Sequence, residues 1–202
     1  MTTAASILSR VRNQLIDNGS TQHWTDAELL NWLSDGQRFI AAAVPAATAS
    51  TTTLVTATGP TQNIPADGHT LITVNRNIGG PSIIPMAWET ITTQIPSWTS
   101  ASTSTTANAF IWQKDNPTVF YLYPPAQGQS IEIVYSVSPP DVATTAGTLT
   151  IKDLYIPPLV DYIMYRACAK DDDRADGVTS SDKYFQAAVT YLTVRATATG
   201  AT

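Results

Sequence analysis

The sequence has little cysteine, histidine and charge. Its 202 residues include one cysteine and two histidines. A single cysteine excludes an internal disulfide and any metal site built from several cysteines. Charged residues make up only 13% of the chain, and the net charge is -5. Proteins that grip nucleic-acid phosphates need clustered Lys and Arg, so this composition argues against that class of function.

Long apolar runs are also missing. No stretch approaches the ~20 apolar residues that a membrane-spanning helix requires, so we expect no membrane contact. The sequence turns polar at Ser9 and Arg10, and we expect no secretory signal peptide. We therefore expect synthesis in a reducing cytoplasm. Cys168 lies in an apolar helical pattern, which predicts a buried structural thiol.

The chain does contain enough apolar sequence for a core, with 43% hydrophobic residues. The clearest helix signal starts at Thr25, which forms a T-x-x-E capping box with Glu28. Leu29, Leu33 and Ile40 follow at helical spacing. The pattern predicts a helix that ends before a proline at position 45, with a polar face exposed to solvent.

A β-prone block separates two helical parts. The clearest hairpin pairs residues 109–113 with 118–123, and a second turn at Pro124 and Pro125 leads to a strand over 130–135. Both faces of the 118–123 run are apolar, which predicts a central strand.

We therefore predict an α+β fold in which N- and C-terminal helices form a four-helix bundle around an inserted domain. That domain is expected to be an antiparallel β-sandwich or barrel-like structure. The predicted boundaries are 1–45 and 151–196 for the helical bundle domain, 46–150 for the β-rich domain and 197–202 for a flexible C-terminal tail.

No arrangement typical of an enzyme stands out. The chain has no G-x-S-x-G nucleophile elbow and no phosphate-binding Walker loop. The acidic run Asp171–Asp173 with Asp176 could bind a divalent cation. However, successive helical side chains point about 100° apart, so a solvated helix end is favoured. We expect no catalytic residues, no cofactor and no metal site.

The aromatic residues allow two interpretations. They could stack on bases or sugars, but basic residues are not interleaved among them, so packing in cores and interfaces is favoured. The residues concerned are Trp32, Trp88, Trp98, Trp112, Tyr121, Tyr123 and Tyr135.

Three motifs together resemble those of a known family. Trp24–Leu30 followed by Leu33–Arg38 is similar to the N-terminal signature of head-to-tail adaptor proteins of tailed phages. Phe120–Pro125 before Ile131–Tyr135 resembles the strand-Pro-Pro-strand hairpin of the short-tailed phage adaptors, which include connector proteins of the tail tubular protein A type. Leu159–Ala167 resembles their penultimate helix, and Tyr184-Phe185 with Ala187-Ala188 their last. Residues 46–118 match no pattern of this kind.

This resemblance implies a structural protein without enzymatic activity. Such adaptors form a ring, typically dodecameric, which docks on the portal protein at the head–tail junction and presents a platform to tail or nozzle proteins. The genomic DNA passes through the lumen without sequence-specific binding. The resemblance thus implies a virion component that is assembled in the host bacterial cytoplasm and functions in DNA ejection.

We expect the helical part to contact neighbouring subunits and the portal, and the β-rich part to face the tail. An acidic surface repels DNA, and a ring subunit needs two different complementary faces. The candidate interface residues are Asp26, Asp35, Arg38, Arg166, Arg195, Thr197 and Thr199.

Two other functions stay open. A receptor- or glycan-binding tail component could use Trp88, Trp98 and Trp112 to line a sugar site. A small cell-wall hydrolase is a more remote alternative.

Overall fold

The computed structural model of the protein describes residues 2–19, 21–171 and 177–198. They form an α+β fold with five α-helices and two β-sheets. In chain order the elements are α1 (Ala4–Leu15), α2 (Asp26–Ala43), β1 (Ala49–Val55), β2 (Gly59–Asn63), β3 (Gly68–Asn77), β4 (Ile84–Pro85), α3 (Trp88–Gln94), β5 (Ala109–Trp112), β6 (Val119–Ala126), β7 (Ser130–Val137), α4 (Ile156–Lys170) and α5 (Gly177–Ala198).

The chain divides into two compact units. The helical unit comprises Met1–Thr48 and Pro139–Thr202, and the β unit comprises Ala49–Ser138. The predicted boundaries differ from these, because residues 139–150 belong to the helical unit rather than to the β-rich block.

Helix α4 contacts α1, α2 and α5, and its contact with α5 is the most extensive between helices of the helical unit. Its apolar residues Leu159 and Ile163 are fully buried. They belong to one core cluster that also includes residues of the other three helices, such as Ile7, Leu33 and Leu192. Burial of these side chains, each worth about 1.5–3 kcal/mol, is the main stabilising contribution in this unit.

Helix α2 forms as its sequence predicts. The Thr25 hydroxyl accepts the N–H of Glu28 at 3.3 Å, and the Glu28 carboxylate accepts the N–H of Thr25 at 3.2 Å, which confirms the capping box. Gly36 faces α4: an added Cβ would lie 2.6 Å from Leu159 Cδ1 and 2.9 Å from Tyr162 Cδ1. The missing side chain therefore lets the two helices approach closely.

The segment over residues 139–152 returns the chain to the helical unit and is fixed to α2 by hydrogen bonds. The Ser34 hydroxyl accepts a hydrogen bond from the N–H of Val142 at 3.0 Å, and the side-chain carbonyl of Gln37 accepts one from the N–H of Thr150 at 2.8 Å. Two polar side chains on a buried helix face therefore satisfy backbone donors of an irregular segment. This is why the segment belongs to the helical unit despite its β-prone composition.

The β unit contains two open sheets with strand orders β1-β7-β3 and β2-β6-β5-β4. All neighbouring strands are antiparallel except β4 and β5, which are parallel. Neither sheet of the described strands closes on itself, so the expectation of a barrel-like domain is wrong. One apolar cluster draws on both sheets, with Phe120 and Leu122 from β6 and Ile131 and Ile133 from β7.

One predicted hairpin is confirmed and the other is wrong. Strands β5 and β6 pair as predicted, with Ile111 opposite Tyr121. Strand β6 then continues through Pro124 and Pro125 to Ala126, and β7 pairs in the other sheet. Because both edges of β6 are already occupied by β2 and β5, the chain must cross to the second sheet instead of folding back.

The ends of helices α1 and α5 are defined by the backbone. Helix α1 ends at Leu15, because Ile16 adopts a left-handed conformation with φ of 57°. Helix α5 continues to Ala198, so Thr197 is helical rather than part of the C-terminal tail predicted over 197–202. None of the helices in the described ranges is long and apolar enough to cross a membrane.

Candidate interaction site

Three of the seven predicted interface residues come together on α2 and α4. Arg38 Nη2 lies 2.6 Å from Asp141 Oδ1, and Arg38 Nη1 lies 3.6 Å from Asp35 Oδ1. Arg166 Nη1 lies 3.6 Å from the other oxygen of Asp35. We refer to Asp35, Arg38, Asp141 and Arg166 as the charged cluster. It displays both signs of charge on one exposed surface.

Helical spacing and the contact between α2 and α4 build this cluster. Asp35 and Arg38 are one turn apart on α2 and therefore face the same side. Arg166 also donates to the Tyr162 hydroxyl at 3.2 Å, which fixes its direction on α4. No sequence pattern points to Asp141, because this residue lies in the irregular returning segment.

The cluster contributes little to stability. Its side chains are between 38% and 76% exposed. Exposed ion pairs contribute only about 0–1 kcal/mol, because water and salt screen them. A neighbouring chain could therefore exchange partners with these residues at little cost, which suits an interaction surface.

Asp26 lies in a different place and has a different role. Arg12 Nη2 contacts Asp26 Oδ1 at 2.6 Å, and Arg12 Nη1 contacts Asp17 Oδ2 at 2.7 Å. Both Arg12 and Asp17 are buried. Asp17 also accepts the backbone N–H groups of His23 at 2.7 Å and Trp24 at 3.2 Å. Asp26 thus helps to hold the α1–α2 connection, while its own side chain stays 57% exposed.

The start of α2 is also tied to the end of α4. The Lys170 ammonium donates to the Glu28 carboxylate and lies 5.6 Å from the centre of the Trp24 ring. Hydrogen bonds from Lys170 and then Thr25 lower the pKa of Glu28 from 4.5 to about 2. Glu28 therefore stays ionised at neutral pH and serves both the capping box and the contact with α4.

The end of α5 carries two further predicted residues. The Arg195 guanidinium lies 5.7 Å from the centre of the Tyr191 ring. The Thr197 hydroxyl donates to the carbonyls of Thr193 and Val194 in its own helix, and Val194 is 61% exposed. The helix end thus presents an apolar side chain next to a cation. Thr199, the last predicted residue, lies outside the described residues.

The structure shows a groove between α1 and α4 that the sequence patterns do not predict. Its volume is about 430 Å³. Burial raises the pKa of Asp161 in this groove, and Asp161 has no hydrogen-bond or ion-pair partner among residues 2–19, 21–171 and 177–198. The lining residues are Arg10, Asn13, Gln14, Ile156, Pro157, Val160 and Asp161.

The acidic run considered as a cation site is only partly described. Asp172, Asp173 and Asp176 lie outside the described residues. Within the described part of the chain, no group of three or more His, Cys, Asp or Glu side chains is placed to hold a metal ion. Cys168 is half-buried rather than fully buried, so the expected burial of this thiol is wrong.

Two of the three tryptophans proposed for a sugar site, Trp88 and Trp98, pack against other aromatic rings. The centres of Trp88 and Trp98 lie 5.8 Å apart in an edge-on arrangement, and Tyr121 lies 5.5 Å and 5.7 Å from them. Trp98 is only 3% exposed, so it offers no open ring face to a sugar. The Trp112 indole donates to the carbonyl of Pro117 at 3.3 Å.

Comparison with known proteins identifies the family. No curated protein matches the sequence. The family model of the SU10 adaptor protein, in contrast, matches residues 2–202, which confirms the resemblance to phage adaptors. The chain therefore belongs to the SU10 adaptor protein family and is a structural adaptor of a bacteriophage.

Proposed function

We propose that the chain is the subunit of a closed ring at the head–tail junction of the virion. The ring links the portal protein to the tail or nozzle protein, is dodecameric and surrounds the path of the genomic DNA. The observation that carries this proposal is the family match over residues 2–202. In the proposed ring subunit, helices α1, α2, α4 and α5 act as one bundle, and the two sheets act as a sandwich-like platform.

Two surfaces of the helical unit support association into a ring. A closed ring requires two different complementary faces on each subunit. The charged cluster around Arg38 offers both signs of charge. The groove between α1 and α4 offers a partly desolvated carboxylate, Asp161, which a cation from a neighbour would stabilise.

The end of α5 supports a contact with the portal. Val194 is exposed beside Arg195, so this end combines apolar surface with a cation. We assign Arg195, Thr197 and Thr199 to portal contact and the β unit to the tail.

The role in DNA passage is passive. The net charge of -5 repels the phosphate backbone and favours a conduit that does not bind DNA. We assign no catalytic step, no cofactor and no sequence-specific DNA contact to the chain.

Native mass spectrometry of the purified chain, alone and mixed with the portal protein, tests the proposal. We expect a ring that forms or is stabilised with portal. Removing residues 197–202 should weaken portal binding, and Thr61→Pro in the β unit is a matched control that should not. A trimer that ignores portal would contradict the proposal and favour a receptor-binding tail component.

A further inference from the structure

Most strand edges of the β unit are protected against pairing with another chain. Strand β2 contains Pro60 and a register shift next to it. The outer edge of β3 bonds to the following loop, with the Ile83 N–H donating to the Asn75 carbonyl at 3.0 Å. Strand β4 has only two residues. Prolines, bulges, covering loops and short strands are the usual protections of sheet edges.

Strand β1 lacks every one of these protections. Its seven residues, ASTTTLV, include no charge and no proline, and its register with β7 is unbroken. Its outward-facing residues are exposed, and Val55 is 68% exposed. An uncharged β-prone strand of this length is a template for strand addition.

The hydrogen-bond pattern shows which backbone groups of β1 are open. The Thr56 N–H donates to the Gln129 carbonyl at 2.9 Å, and bonded residues alternate along an antiparallel pair. The backbone groups of Thr51, Thr53 and Val55 therefore point away from β7. They have no backbone partner in the part of the chain that the structure describes.

We infer that the free edge of β1 is a docking site for an extended, uncharged segment of the tail or nozzle protein. The segment adds to the sheet as a further strand and pairs with the outward groups of Thr51, Thr53 and Val55. This inference rests on the proposed function, in which the β unit faces the tail.

The symmetry of the assembly favours a different chain over a second copy. Two copies paired through β1 would form a two-fold dimer, because the same edge would serve both partners. Such a dimer does not close a ring. Leu54 on the inner side of β1 packs against the core of the β unit, so the edge is held in place before the partner arrives.

A proline at residue 53 tests the inference. Thr53→Pro removes an outward N–H and should leave the free chain folded, because proline is tolerated on an edge strand where its N–H faced solvent. Thr61→Pro is the matched control. The Ile64 N–H donates to the Thr118 carbonyl, so by the same alternation Thr61 is also an exposed residue whose N–H points outward, but on the protected strand β2.

The assay measures binding of the unmodified chain and of each proline variant, as assembled rings, to the purified tail or nozzle protein of the same phage. Portal binding is measured in parallel. We expect Thr53→Pro to weaken tail binding about tenfold or more, since a hydrogen bond is lost and a partner carbonyl is left unpaired. Portal binding and ring mass should stay unchanged, and Thr61→Pro should bind the tail protein normally.

Hydrogen exchange of the unmodified chain gives an independent measurement. The amides of Thr51, Thr53 and Val55 should exchange more slowly in the tail complex than in the free chain. Equal tail binding by both proline variants, or unchanged exchange at these amides, would overturn the inference. A free-chain dimer that Thr53→Pro abolishes would also overturn it. Failure of the unmodified chain to form a ring or bind portal would instead contradict the proposed function.

Discussion

The buried ion pair between Arg12 and Asp17 makes a sharp prediction about stability. Both side chains are nearly inaccessible, at 8% and 7% exposure. Arg12→Met keeps the volume of the side chain but leaves the Asp17 carboxylate buried without its cation. Breaking a buried pair in this way costs about 3–5 kcal/mol. We expect the lower end of this range, because Asp17 still accepts two backbone N–H groups.

The charged cluster provides the matched control. Arg38 contacts Asp141 at 2.6 Å, about the same distance as in the Arg12–Asp17 pair, but its side chain is 43% exposed. Arg38→Met should therefore cost no more than about 1 kcal/mol. The two variants remove the same kind of pair at the same separation and differ mainly in burial.

Urea unfolding followed by circular dichroism at a helix-sensitive wavelength measures both effects in the helical unit. Arg12→Met with Asp17→Asn should be more stable than Arg12→Met alone, because the double variant no longer buries an unpaired charge. If Arg12→Met destabilised the unit no more than Arg38→Met does, burial would not control the cost of breaking these ion pairs.

Three further predictions concern α2. Gly36→Ala should destabilise the helical unit by up to about 2 kcal/mol in urea unfolding, since overpacking against α4 outweighs the gain in helix propensity; a stabilised variant would contradict the close approach. Leu33→Asp should cost at least about 4 kcal/mol because it buries a charge, whereas Asp35→Ala should change stability by less than about 0.5 kcal/mol and act on ring assembly. The lowered pKa of Glu28 stabilises the fold above pH 4.5, and this contribution is lost as pH falls towards about 2. The free energies of unfolding of the wild type and Glu28→Gln should differ by less than about 1 kcal/mol at neutral pH, because the pair with Lys170 is exposed. In unfolding titrations, the two free energies should become equal as the pH falls from 4.5 towards about 2.

Local signals in the sequence were enough to predict helix α2. The Thr25–Glu28 capping box and the apolar spacing of Leu29, Leu33 and Ile40 predict α2, because these features act within a few residues of one another. The α+β class follows in the same way, because helical spacing of apolar residues gives way to β-prone segments after α2.

Features that depend on distant partners could not be predicted. The strand after Pro125 crosses to another sheet because β2 and β5 already occupy both edges of β6, and no local pattern reports that. Asp141 joins the charged cluster from a segment 103 residues after Arg38. In the sequence, Arg12 resembles any polar residue of an amphipathic helix. Only the structure shows that Arg12 and Asp17 form a buried ion pair.

We propose that the chain is a ring subunit that links portal to tail. Native mass spectrometry of the full chain mixed with purified portal protein tests it most directly. We expect a portal-bound ring, of dodecameric mass, that Asp35→Ala or Arg38→Met weakens without unfolding the subunit. A chain that stays monomeric or trimeric and ignores portal at every concentration tested would contradict it.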